Sequence, residues 1–186
     1  MIRSALFAAA LLLSGCATGT GPYSPQTEAA RDTAKAQLLT QRAAAIMDKD
    51  PKKAEGILRE ALTADLYHGP AHNDLGVIYL KRGELFSAAS EFEWASRLMP
   101  GLPEPRMNLA LTLENAGRTD EALSAYATAL DVYQGHIPTV QAMTRLQVKS
   151  GRTTDHTRSN LEEIALKGQT QQWREWARQQ LTRLTP

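Results

Sequence analysis

Cysteine is nearly missing from this chain: Cys16 is the sole one in 186 residues. An intramolecular disulfide is therefore excluded, and the place of Cys16 says more than its count. The surplus of positive charge that marks a nucleic-acid binder is missing too. Lys and Arg number 21 against 20 Asp and Glu, and without Arg3 the two signs balance. The apolar run at residues 5–13 is nine residues long, where a membrane-spanning helix needs about 20. No glycine-rich phosphate loop follows a strand, and neither G-x-S-x-G nor H-E-x-x-H occurs. These absences leave an enzyme unsupported and imply no cofactor.

What the chain does have is a period. Leu75, Gly76, Tyr79, Gly83, Ala88, Phe92, Ala95 and Pro100 sit at offsets that recur after 34 residues. Leu75 maps to Leu109 and Met143, and Gly83 to Gly117 and Gly151. Ala88 maps to Ala54 and Ala122, Phe92 to Leu58 and Tyr126, and Ala95 to Ala61 and Ala129. Leu75 and Tyr79 are four apart and share a helix face. Gly83 turns the chain back. Ala88, Phe92 and Ala95 then form a second stripe, with Gly76 and Ala88 small where two helices approach. Pro100 ends the second helix. One such hairpin cannot bury its apolar face alone, so the units stack.

The order L-G-x2-Y, A-x3-F, A and P closely resembles the tetratricopeptide repeat (TPR) family. The leading Trp slot departs, with His72 in its place. The resemblance covers about residues 35–151. It implies an all-α, right-handed solenoid of three to four helical hairpins that binds a protein or peptide in a concave groove.

Residues 1–15 read as a signal peptide, with Arg3 ahead of the apolar run. Leu13-Ser14-Gly15-Cys16 resembles the bacterial lipobox. That resemblance implies cleavage after Gly15, a diacylglyceryl thioether on Cys16 and an acylated (palmitate-type) amine. Three acyl chains hold far more firmly than one. Ala17 in place of Asp favours the outer membrane by the lipoprotein sorting pattern, with the folded part facing the periplasm. Residues 16–27 form the lipidated cysteine and a Gly/Pro/Ser/Thr tether, reaching roughly 35 Å when extended.

Residues 28–168 are assigned to the solenoid and 169–186 to a closing helix. In the first unit, Gln41 and Arg42 replace Leu and Gly, so its first helix is degenerate; Asp50 is an N-cap with Pro51 behind it. Thr119 is the N-cap expected in the third unit. In the fourth, His156, Asn160 and Glu163 fall in the Ala, Phe and Ala slots, while Leu161, Ile164 and Ala165 suggest a register shift of one or two residues. Trp173, Trp176 and Leu184 are the expected packing stripe of the closing helix, with a paired-Trp partner site as the alternative.

The family resemblance directs attention to first-helix residues outside the packing slots. The groove it implies comprises Asn73, Val77, Leu80, Lys81, Met107, Leu111, Asn115 and Arg145. Leu39, Ala43, Ile46, Met47, Glu114, Gln141, Val148 and Lys149 fall on the same expected face. The Lys/Asn carboxylate clamp of some TPR chaperone adaptors is not matched; only Asn108 fits a slot. Glu28, Glu55, Glu60 and Glu114 read as surface charge. His68 and His72 have the i, i+4 spacing of metal ligands, but Gly69-Pro70 lies between them. The expected role is a scaffold, most similar to TPR lipoproteins of pilus or secretin assembly. An adaptor for cell-wall hydrolases and a metal enzyme using His68 and His72 are the alternatives.

Overall fold

The computed structural model describes residues 31–184; the signal peptide, Cys16, the tether and Glu28 lie outside them. Nine helices follow one another, with no strand among the described residues. They are α1 (Thr33–Ala44), α2 (Pro51–Ala64), α3 (Gly69–Arg82), α4 (Leu85–Leu98) and α5 (Glu104–Asn115). Then come α6 (Thr119–Val132), α7 (Ile137–Ser150), α8 (Asp155–Lys167) and α9 (Gln171–Leu184). Each helix packs on the next, and α1, α3, α5 and α7 also touch in sequence, forming an inner row. The architecture is the all-α TPR-type solenoid of stacked hairpins.

Glycine sets the turns. Gly83, Gly117 and Gly151 take φ of 77°, 75° and 70°, which no other residue type adopts here. In each turn the amide of the residue after the glycine reaches back five residues. Glu84 N donates to Tyr79 O, Arg118 N to Leu113 O and Arg152 N to Gln147 O, all at 2.9 Å. This is the Schellman closure of a helix C-terminus. Asp50 caps α2 as expected, accepting from Lys53 N at 3.0 Å with Pro51 first in the helix. In the third unit Arg118, not Thr119, is the N-cap, and Thr119 is already helical. The glycine closure seats the chain without a side-chain cap, so the threonine is not required there.

The second stripe of each hairpin is completely covered. Ala54, Leu58 and Ala61, then Ala88, Phe92 and Ala95, then Ala122, Tyr126 and Ala129 all have zero exposure. The small residues let the helices close, and the large one fills the space between them. Gly76 shows how little room is left: a Cβ there would lie 2.6 Å from the Phe92 ring.

Two stretches keep the pattern by sliding. In α1 the buried residues are Ala36, Leu39, Thr40 and Ala43, two positions earlier than Gln41 and Arg42 would place them. Both of those polar residues stay exposed. In α8, Thr157, Leu161 and Ile164 are buried, one position later than His156, Asn160 and Glu163. The shift is thus one residue, and Thr157 Oγ1 donates to Gln147 Oε1 at 3.2 Å inside the core. In the closing helix Trp173 and Trp176 pack against the last core cluster as expected, but only half-buried; its fully buried residue is Ala177, with Gln180 beside it. Ala177 faces Leu161, Ile164 and Ala165, where a small side chain lets α9 lie close to α8. The Leu184 side chain lies outside the described residues.

The first described residues are fastened by Asp65. Its side chain has no exposure, and it accepts from Arg31 Nε at 2.8 Å, Arg31 Nη2 at 3.1 Å, Thr33 Oγ1 at 2.9 Å and Tyr67 N at 3.0 Å. Asp32 N adds a bond to Ala64 O at 2.9 Å. Burial works against the Asp65 charge, but Arg31, Thr33 and Tyr67 together hold its carboxyl below the ordinary 3.8.

Two outcomes follow from this packing. Gly76→Ala should destabilise by about 1–3 kcal/mol, since the Phe92 ring has nowhere to move. At Gly56 in α2 nothing lies within 4 Å of an added Cβ, so Gly56→Ala should stabilise by about 0.5–1 kcal/mol. Thermal melts giving both substitutions the same sign would sink the interlocking-slot account. The second outcome concerns pH. A carboxyl held below its unfolded value stabilises above that value and loses the contribution as pH falls through the folded one. Arg31→Gln should therefore be less stable than the parent near neutrality, and the gap should shrink below about pH 3.8. Denaturant titrations at neutral and acid pH check this.

Candidate functional site

The inner row carries the residues singled out from the sequence, and they divide into three groups. Leu39 and Ala43 are buried core, and Ile46 and Met47 pack partly against it. They are not groove residues, because the two-residue slide of α1 turns them inward. Gln141 is also core: it is 1% exposed, and its Oε1 accepts from Gln169 N at 3.2 Å, holding the α8–α9 link.

A second group is half-buried and apolar. Val77 and Leu80 on α3 pack against the first core cluster, and Met107 on α5 against the second. Leu111, one turn beyond Met107, is half-buried and belongs to neither cluster. These four lie on adjacent inner helices, so they form one apolar strip.

The third group is polar, and two of its contacts tie one inner helix to the next. Asn108 Nδ2 on α5 donates to Asn73 Oδ1 on α3 at 3.2 Å. Lys81 Nζ donates to Asp48 at 2.8 Å. Arg145 Nη2 on α7 reaches both oxygens of Glu114 on α5, at 2.9 and 3.0 Å. Asn115 is exposed. Glu114 corrects the reading as surface charge: its side chain is only 9% exposed, and Tyr126 Oη donates to it at 3.3 Å. Burial and that carboxylate push the Tyr126 hydroxyl well above its ordinary range. Glu55 is corrected likewise. It is 16% exposed and engaged by Arg59 and Arg82; burial opposes its charge, but the two guanidinia hold its carboxyl below the usual range. Glu60 does lie at the surface, 3.4 Å from Lys35.

Beyond Arg145 the row ends in a pocket. Arg145, Gln172, Trp173 and Trp176 line a cleft of about 290 Å³. The two indoles meet edge to face, 5.4 Å apart at 88°, an arrangement that the ring quadrupoles favour. Sequence spacing placed these rings on one helix face but could not show that Arg145, on another element, closes the pocket.

The two histidines do not form a metal pair. His72 Nδ1 lies 2.6 Å from Glu91 Oε2, and Nε2 lies 2.9 Å from the Leu66 carbonyl. Both nitrogens are committed, and the ring stacks on Trp94 with centroids 5.6 Å apart. His72 thus fills the leading Trp slot as a flat ring with polar edges. His68 is buried, which pushes its pKa down, and its Nε2 has no partner. No group of three metal-capable side chains occurs among the described residues. No described helix is long and apolar enough to cross a membrane.

No family model matches the chain, and no curated protein does. Solved structures match well. A tetratricopeptide repeat protein from Parabacteroides merdae has a TM-score of 0.66 at 19% identity, covering 80% of this chain and 59% of that one. The first TPR of Spaghetti (RPAP3), bound to the HSP90 peptide SRMEEVD, has a TM-score of 0.61 at 14% identity, covering 66% and 98%. The O-GlcNAc transferase of Thermobaculum terrenum has a TM-score of 0.64 at 19% identity, but this chain spans only 27% of it. At such identities the shared feature is the fold.

Proposed function

We propose that this chain is a non-catalytic scaffold that captures a protein or peptide partner along the inner row of its solenoid. The carrying observation is the strip of half-buried apolar side chains, Val77, Leu80, Met107 and Leu111, on neighbouring helices. Apolar anchors in a groove usually supply most of the binding energy, and the polar rim supplies less. The likeness to a repeat domain seen with a bound peptide supports a peptide as the ligand class. In the same reading the scaffold is a lipoprotein. Cys16 carries the lipid in the bacterial outer membrane, the tether leads to the solenoid, and the solenoid works in the periplasm. Its proposed task there is assembly of a pilus or secretin system, which the motif resemblance to such lipoproteins favours.

The test separates groove from core. Leu80 packs partly on the core, so the diagnostic substitution is Leu111→Glu. It should reduce crosslinked partner recovery at least about ten-fold, with helical content and melting temperature nearly unchanged. Intact folding with undiminished recovery would move the site off this strip. For the anchor, Cys16→Ser should release the chain from the outer membrane, and globomycin should make the wild-type precursor accumulate. Unchanged fractionation of Cys16→Ser would defeat the lipid reading.

A further inference from the structure

We infer that the pocket between α7 and α9 is a subsite for an acidic peptide segment carrying an aromatic side chain: Trp173 and Trp176 receive the ring, and Arg145 receives the neighbouring carboxylate. The inference rests on the groove reading above and names the chemistry that its far end selects.

Charge distribution identifies the occupant. Although the whole chain is close to neutral, residues 137–184 hold eight Lys and Arg against four Asp and Glu, while residues 31–136 hold twelve against fifteen. The far end of the solenoid is therefore basic and the rest slightly acidic, so an acidic segment is drawn to this end. Arg145 is the local donor. It spends Nη2 on Glu114, its Nε is shut from water without an acceptor, and its side chain remains 41% exposed. Its Nη1 has no partner among the described residues. A five-donor guanidinium that uses one nitrogen is short of acceptors. Lys149 stands one turn further on the same helix, exposed and without a carboxylate partner among the described residues. It adds a second positive charge on the same face of α7 as Arg145.

The walls select the ring. Trp173 and Trp176 each pack one part of the indole against the core beside Ala177 and stay half-buried, with the rest lining the cleft. Their edge-to-face geometry leaves indole surface turned to the cleft, and about 290 Å³ accommodates one aromatic side chain. Gln172 at the same cleft offers an amide to the peptide backbone.

The experiment uses indole fluorescence. The chain has three tryptophans, and Trp94→Phe leaves only the pocket pair as reporters. The probe is the blocked hexapeptide acetyl-Glu-Phe-Glu-Glu-Phe-Glu-amide, compared with its Gln-for-Glu isostere. Blocked ends remove any terminal carboxylate. The expected result is saturable quenching by the Glu peptide at least about five-fold tighter than by the isostere, weakening with salt. Arg145→Gln and Trp176→Ala should each weaken it about five-fold or more. Lys149→Gln, which breaks no contact in the fold, should weaken it about two-fold with an unchanged melt.

Equal binding of the two peptides overturns the proposal, as does wild-type affinity in the Arg145 and Lys149 variants. Self-association that the Glu peptide cannot displace also overturns it, since the occupant would then be a second copy. If the wild type ignores both peptides while Leu111→Glu still abolishes partner capture, this subsite fails and the groove reading stands. If the peptides are ignored and Leu111→Glu captures normally, both fail.

Discussion

The interlock of one large and two small side chains in α2, α4 and α6 governs this molecule. Phe92 sits between Ala88 and Ala95, and Tyr126 between Ala122 and Ala129, all without exposure. Leu58 does the same work in the first unit. Burying a large ring this completely requires the facing helix to be small at the point of contact, which is why Gly76 lies against Phe92. The turn glycines then serve the interlock, since they set the angle at which the first helix delivers its small residue. Stacking follows, because each hairpin covers one face and leaves the other for its neighbour.

The period made the central units legible. Leu75, Gly76, Tyr79 and the Ala-Phe-Ala stripe all occupy the slots that spacing assigned. The ends were harder to read, and the reason is physical. A helix with polar residues in its packing slots can slide by one or two positions at little cost when apolar neighbours stand ready. Leu39 and Thr40 replaced Gln41 and Arg42 in this way, and Leu161 replaced Asn160. Residues assigned to the groove from the unshifted frame, such as Leu39 and Ala43, consequently turned out to be core. Gln141 did so for another reason: a long-range bond to Gln169 N holds it, and no local pattern announces that. Glu55 and Glu114 read as surface charge for a like reason, because Arg82 and Arg145 reach them from other helices.

The inner row is more than a surface awaiting a ligand. Asn108 to Asn73 and Arg145 to Glu114 cross from one hairpin to the next on that face. The polar part of the row therefore helps set the pitch of the stack, while the apolar part is left half-covered. A ligand that competes for Arg145 would act on the same contact that joins α5 to α7. Binding at the far end and curvature of the solenoid are in this sense one equilibrium seen from two sides.

Asp65 has a mechanical meaning. Arg31 and Asp32, the first described residues, are held to the end of α2 by a carboxylate with no exposure that takes two bonds from one edge of the Arg31 guanidinium, and by the Asp32 amide on Ala64. Tension along the leading chain is thus delivered to the end of α2 before it can reach α1. Asp65 works as a strain relief: several bonds in parallel share the load, and the helix behind them stays seated while the chain in front is pulled.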